Sequence, residues 1–230
     1  MSRYKAIKSV LKKYKIPYKV EKYKKGKYEI RDCNNIIVSL GEAKKYSLLV
    51  AHYDVFSGSL GINDNTCAVA MLISFADKIL RSGFKRPIKI LFTDREETGM
   101  VGSYKFLYNH ADEVESAIVF DIIGYGDEML IGSRGLGLEF IRRNVDLIEI
   151  TEFLPSDNIV FNNFKIPTAL VTAAPKEDLE YKDGGFKIKA LPSFYNSFHN
   201  RLLDNKLEVI NFDRIAKLRK ELVEWILAPK

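Results

Sequence analysis

An α/β fold, built as a three-layer α/β/α sandwich around a mixed, largely parallel sheet, is what this sequence predicts. Three observations carry that expectation. The runs SLLVA (47–51), IKILFTD (88–94) and SAIVFDI (116–122) are almost continuously apolar, as strands buried on both faces must be. Stretches with helical character, 66–82 and 100–110, lie between them. Strands that alternate with helices build a parallel sheet with a helical layer on each side.

Taken in order, residues 3–15 read as an amphipathic helix. Short strands follow near 18–22, 27–31 and 35–40, with Lys25-Gly26 as a turn between the first two. The buried strand 47–51 leads to a nearly all-apolar helix over 66–82, with Gly83 as its stop signal. Beyond the strands 88–94 and 116–122, further strands are expected at 129–132 and 168–172, and helices near 136–148 and 205–227.

The chain has 230 residues and no repeat or Pro/Gly-rich linker, so one domain over 1–230 is expected, with residues 1–40 as a basic helix and strands belonging to it. No apolar run reaches membrane-spanning length, and the basic N-terminus lacks the apolar core of a secretory signal. Cys33 and Cys67 are too few for a disulfide scaffold. A cytoplasmic protein with no membrane association is therefore expected. The net charge of +6 is unevenly placed: residues 1–27 hold eleven Lys or Arg against the single acid Glu21. A basic arm can bind nucleic acid or anionic lipid, but no nucleic-acid motif accompanies it, and a solvated lysine-rich face is the preferred reading.

Chemistry is concentrated in seven side chains. His52 and Asp54 stand in LLVAHYD, Asp64 in GINDN, Glu96 and Glu97 in LFTDREETG, Asp121 in SAIVFDIIG and His199 in SFHNRLLDN. Imidazole and carboxylate are ligands for zinc and similar divalent ions. His52 and Asp54, two residues apart, share a side of a strand, so Asp54 can accept the second ring N–H of His52. A satisfied core histidine is the competing reading. Asp64 lies just before a buried helix, where capping competes with metal binding. The adjacent Glu96 and Glu97 repel each other at a strand exit unless a cation or proton offsets them, and a surface charge cluster is the alternative. Asp121 ends an apolar strand, where an ionised group needs a partner. His110 falls outside the pattern and reads as a surface residue at a helix end, while Asp204 caps the last helix or orients the His199 loop, capping being the preferred reading. Strands that end just before His52, before Glu96 and at Asp121 deliver these groups to one sheet edge, where α/β sheets bind ligands.

The ordered set HxD, NDN, EExGxxGS, a strand-terminal Asp and a late His resembles the cocatalytic-zinc aminopeptidases related to bacterial leucyl aminopeptidase, a family of zinc-exopeptidase-like fold. EETGMVGS (96–103) matches the family's glutamate motif, and SDNIVFNNFKIP (156–167) resembles its SDHxxFxxxGIP loop, with Asn158 for His and Lys165 for Gly. The resemblance covers about residues 45–205. It implies two zinc ions per chain, with cobalt or manganese as substitutes. His52, Asp64 and Asp121 would hold one ion and Asp64, Glu97 and His199 the other, with Asp64 bridging. Glu96 would be the general base and Asp54 the partner of His52, and the Asp64–Asn65 peptide bond would be cis. The implied reaction is metal-assisted hydrolysis that removes N-terminal residues from peptides with a free N-terminus. Some relatives place Tyr before the final His to stabilise the oxyanion. Here Phe198 stands there, which leaves that role vacant or to a group such as Tyr195.

Two rivals share this fold. A glutaminyl-cyclase-like transferase works with one zinc and tends to lack the Asn-Asp-Asn signature. A non-catalytic binding domain, as in the transferrin-receptor ectodomain, loses ligands. Oligomeric state and side-chain preference are not legible in the sequence.

Overall fold

A computed structural model describes residues 1–26, 32–84, 86–134, 147–151, 154–189, 198 and 202–227. The N-terminal helix α1 (Arg3–Lys13) leads into β1 (Lys19–Tyr23) and β2 (Cys33–Leu40). Next come β3 (Tyr46–His52), α2 (Cys67–Ser82), β4 (Ile88–Thr93), α3 (Val101–His110) and β5 (Val114–Phe120). The second half contains β6 (Glu128–Arg134), β7 (Ile148–Ile150), α4 (Asn158–Asn163), β8 (Thr168–Ala174), β9 (Leu179–Lys182), β10 (Gly185–Ile188) and α5 (Phe212–Leu227).

The strands form one sheet in the order β1-β2-β4-β3-β5-β8-β6-β7-β10-β9. Its centre, β4-β3-β5-β8, is parallel, and antiparallel strands flank it at β2 and β6. Alternate residues face opposite layers. Leu49 and Ala51 of β3, with Ile90 and Phe92 of β4, pack toward α1, α2 and α5. Leu48 and Val50, with Leu91 of β4 and Val119 of β5, pack toward α3 and α4. Each of the larger side chains among these, taken from water, contributes about 1.5–3 kcal/mol. This is the sandwich expected from the buried apolar runs.

From β3 the chain crosses through α2 to β4, then passes through α3 to β5 on the opposite side of β3. The strand order therefore reverses at β3, which opens a crevice beyond its carboxyl end. His52 is the last residue of β3 and pairs with Thr93, the last of β4.

Two expectations change, at the end of 136–148 and at the start of the last helix. The strand at 27–31 lies outside the described residues. So does most of the helix at 136–148, and its end is strand instead: Ile148-Glu149-Ile150 alternates with period two and pairs in parallel with both β6 and β10. The last helix begins at Phe212 rather than 205, capped by Asn211, whose side-chain oxygen accepts the Arg214 N–H at 3.0 Å. Among the described residues, no helix is long and apolar enough to cross a membrane.

Candidate metal centre

His52 sits at the strand crossing with 1% exposure. Its Nε2 lies 3.0 Å from Asp64 Oδ1 and 3.3 Å from Asp121 Oδ1. Asp121 follows β5 directly, and its N–H donates to Val171 of β8 at 3.0 Å, which extends the strand to the sheet edge. One ring proton cannot serve two carboxylates, and the carboxylates repel each other; a cation among these three donors would satisfy both. Burial opposes protonation of His52, but Asp121, Asp54 and Asp64 together hold its pKa well above the ordinary value.

Asp64 rides on a tight turn over Ile62–Thr66, entered through Gly61 in a left-handed conformation at φ 55°. The Asp64–Asn65 peptide bond is cis, as the resemblance implies. The neighbouring asparagines tie the turn to the end of β5. Asn65 Nδ2 donates to the Phe120 carbonyl at 2.8 Å, and Asn63 Oδ1 accepts the N–H groups of Gly124 and Tyr125 at 2.7 and 3.1 Å. Capping, the competing reading for this segment, is not what the side chains do: Thr66, at the N-cap of α2, makes no side-chain cap bond, and its hydroxyl donates to Gly61 at 2.6 Å.

Glu96 and Glu97 follow β4 in a turn held from behind by Asp54, whose two oxygens accept the N–H groups of Glu96 and Glu97 at 2.9 and 3.2 Å. The other expected contact of Asp54 is looser. His52 Nδ1 lies 3.6 Å from Asp54 Oδ1, beyond hydrogen-bond range, so the pair attracts as charges only. Glu97 Oε1 accepts the Phe56 N–H at 3.1 Å. Burial raises the Glu96 carboxyl to about 9; His52 opposes the rise, and Asp121, Asp157 and Glu97 reinforce it. Donor atoms of His52, Glu96 and Glu97 lie within 4.8 Å of one another, as do those of His52, Asp64 and Asp121. Nitrogen and oxygen donors at such spacing fit a zinc site. His199 lies outside the described residues, as does Tyr195. Phe198 packs against Leu130, Ile150, Ala174 and Ile188.

Two residues matter more here than the sequence disclosed. Asp157, in the SDN segment, is fully buried, accepts the Thr93 hydroxyl at 2.6 Å and is raised to about 6 by burial despite that bond. The SDN motif was its only signal. Asp204 does not cap α5, which starts eight residues later; it accepts the N–H groups of Asn63 and Asp64 instead. The substitutions in the SDN loop are accommodated locally. Asn158 donates to the Leu154 carbonyl at 3.0 Å and accepts the Ser156 N–H at 2.9 Å, while Lys165 takes the left-handed φ of 58° for which the family pattern has Gly. His110 stands at a helix end as expected, but between two carboxylates: Glu113 at 3.0 Å and Glu21 at 3.1 Å.

A family profile described as Peptidase family M28 matches residues 35–201. No curated protein matches the sequence. Many solved structures resemble the fold. LapB from Legionella pneumophila is 16% identical with a TM-score of 0.71, and the match covers 96% of this chain and 62% of that one. The zinc aminopeptidase BSAP from Bacillus subtilis is 17% identical with a TM-score of 0.69, covering 85% of this chain and 50% of its own. A glutaminyl cyclase from Bacteroides thetaiotaomicron, bound to N-acetylhistamine, is 19% identical with a TM-score of 0.74, covering 98% of this chain and 88% of its own. The chain thus spans between half and two thirds of the first two of these relatives.

Proposed function

The chain belongs to peptidase family M28, and on that premise we propose that it is a zinc-dependent aminopeptidase acting on peptides with a free N-terminus. His52, Asp64 and Asp121 would hold one ion, and Asp64, Glu97 and His199 the second. The observation that carries the reading is the buried convergence of Asp64 and Asp121 on one nitrogen of His52, at 3.0 and 3.3 Å, with Glu96 and Glu97 within reach of the same ring.

Zinc, when bound, acts as a Lewis acid on the scissile carbonyl and makes water a better nucleophile. The chain's own groups do the rest. Glu96 takes the proton from the attacking water and returns it to the leaving amine. Burial and three neighbouring carboxylates raise its proton affinity, and a bound cation beside it would oppose that rise and keep the carboxylate ionised to take the proton. Asp54 fixes the backbone of both glutamates, so one carboxylate can face an ion while the other faces the reacting water.

Purified protein loaded with zinc or cobalt should release amino acids from aminoacyl anilides. Glu96→Gln should lower kcat by roughly 10²–10⁴-fold while the metal content is unchanged. Near-normal turnover by that variant would show that Glu96 is not the base.

A second reading is favoured by the glutaminyl cyclase likeness, which spans 88% of that enzyme. It expects one zinc per chain and release of pyroglutamate from a peptide beginning with Gln. Two ions per chain with no pyroglutamate formed would exclude it.

A further inference from the structure

Asp204 is fully buried, yet its carboxylate serves a loop 140 residues earlier. Oδ1 accepts the backbone N–H groups of Asn63 and Asp64, both at 3.0 Å. Oδ2 accepts the Ser59 hydroxyl, and the Asp204 carbonyl accepts the Ile62 N–H at 3.2 Å. Asn205 adds a further bond, its side-chain oxygen accepting the Leu60 N–H at 2.7 Å. From the other flank the Arg3 guanidinium donates to the Leu60 carbonyl. Loop 59–64 is thus gripped by three residues, Arg3, Asp204 and Asn205, that all lie outside the family-matched span 35–201.

The chemistry of this grip is specific. A buried carboxylate close to Asp64 adds like-charge repulsion, which raises the cost of placing it there. Two oriented N–H dipoles and a hydroxyl offset that cost, because charge-assisted bonds are about twice as strong as neutral ones. Both N–H groups belong to the turn that carries the Asp64 side chain to His52. A turn of this kind, with non-helical backbone at Asp64 and Asn65, has no ladder of its own to hold its direction.

We propose that Asp204 is a positioning residue for the metal centre: by accepting the Asn63 and Asp64 N–H groups it aims the Asp64 carboxylate at the ions. This rests on the metal-centre reading above. Its test is zinc affinity, measured by competition with a chromogenic chelator, alongside amide hydrogen exchange of Asn63 and Asp64 in chelator-treated protein. Asp204→Ala should bind zinc roughly 10–100-fold more weakly, the usual effect of losing a group that orients a ligand. Asp204→Asn, which keeps one oxygen for both N–H groups, should lose less than about fivefold. Equal zinc affinity in Asp204→Ala and the parent would overturn the proposal, as would an Asp204→Asn variant as weak as Asp204→Ala. The exchange measurement needs neither a variant nor metal: both amides should be protected in the parent, and exchange at the rate of an open peptide would overturn the proposal even if Asp204→Ala failed to fold. A parent that shows protected amides but binds no zinc would instead sink the metal-centre reading and leave the hydrogen bonds standing.

Discussion

Asp54 shows how a single side chain can govern a site without facing it. Its oxygens take the two N–H groups of Glu96 and Glu97, so the aim of both glutamates depends on one carboxylate. Asp54→Asn replaces one acceptor with a donor that meets a backbone N–H head on. We expect cobalt affinity or kcat to fall about 10–100-fold, readable by titration of the visible cobalt absorption. Gly102 of the same motif is fixed by space. A Cβ there would lie 2.5 Å from the Asp94 carbonyl oxygen and 2.8 Å from its nitrogen, both backbone atoms that cannot swing aside. Gly102→Ala should cost about 1–3 kcal/mol in urea denaturation. At this scale the sequence was informative where chemistry is local: the HxD, NDN and EE residues do gather around His52. It misplaced Asp204 as a helix cap, because its true partners are 140 residues away and leave no mark on neighbouring sequence. It overstated the His52–Asp54 contact, because strand spacing fixes a side but not a distance.

Elements were legible in proportion to their length and burial. The apolar runs became β3, β4 and β5, each with its alternate residues committed to different layers. Phe92 of β4 is fully buried in the layer beneath α2, so Phe92→Ala should cost about 3–5 kcal/mol by urea denaturation. The four-residue strands β9 and β10 and the six-residue α4 passed unnoticed, since so few residues cannot display a period. The ties between elements were equally unreadable. His110, at the end of α3, joins Glu21 of β1 to Glu113 just before β5, and Lys89 reaches Glu113 at 3.3 Å. The Glu113 carboxyl is held below its ordinary value of 4.5, chiefly by His110 and against a smaller opposing effect of burial. A lowered carboxyl stabilises the fold above its unfolded pKa and loses that contribution as pH falls through the folded one. The stability gap between the parent and Glu113→Gln should therefore be open at neutral pH and close below about pH 4.5. Chemical denaturation across pH 3–7 would check it, and a gap that widens on acidification would refute it.

At the scale of the molecule, the reversal of strand order at β3 decides where everything happens. Parallel neighbours on both sides of one strand bring His52, Glu96 and Asp121 to a common rim, and this much followed from the alternation of strands and helices alone. A site that forms only in the folded chain ties stability to its ion. At free zinc about 100 times the dissociation constant, binding stabilises the native state by about 2.7 kcal/mol. For a chain of this size that corresponds to a Tm rise of roughly 5–10 °C, which excess chelator should abolish in calorimetry. The long reach between Asp64 and Asp204 also imposes an order on biosynthesis. A ribosome that has released the Asp64 turn needs on the order of ten seconds more to supply its carboxylate clasp. During that interval the Asp64 turn lacks the carboxylate that holds it, so on the proposed metal-centre reading ion loading would follow translation.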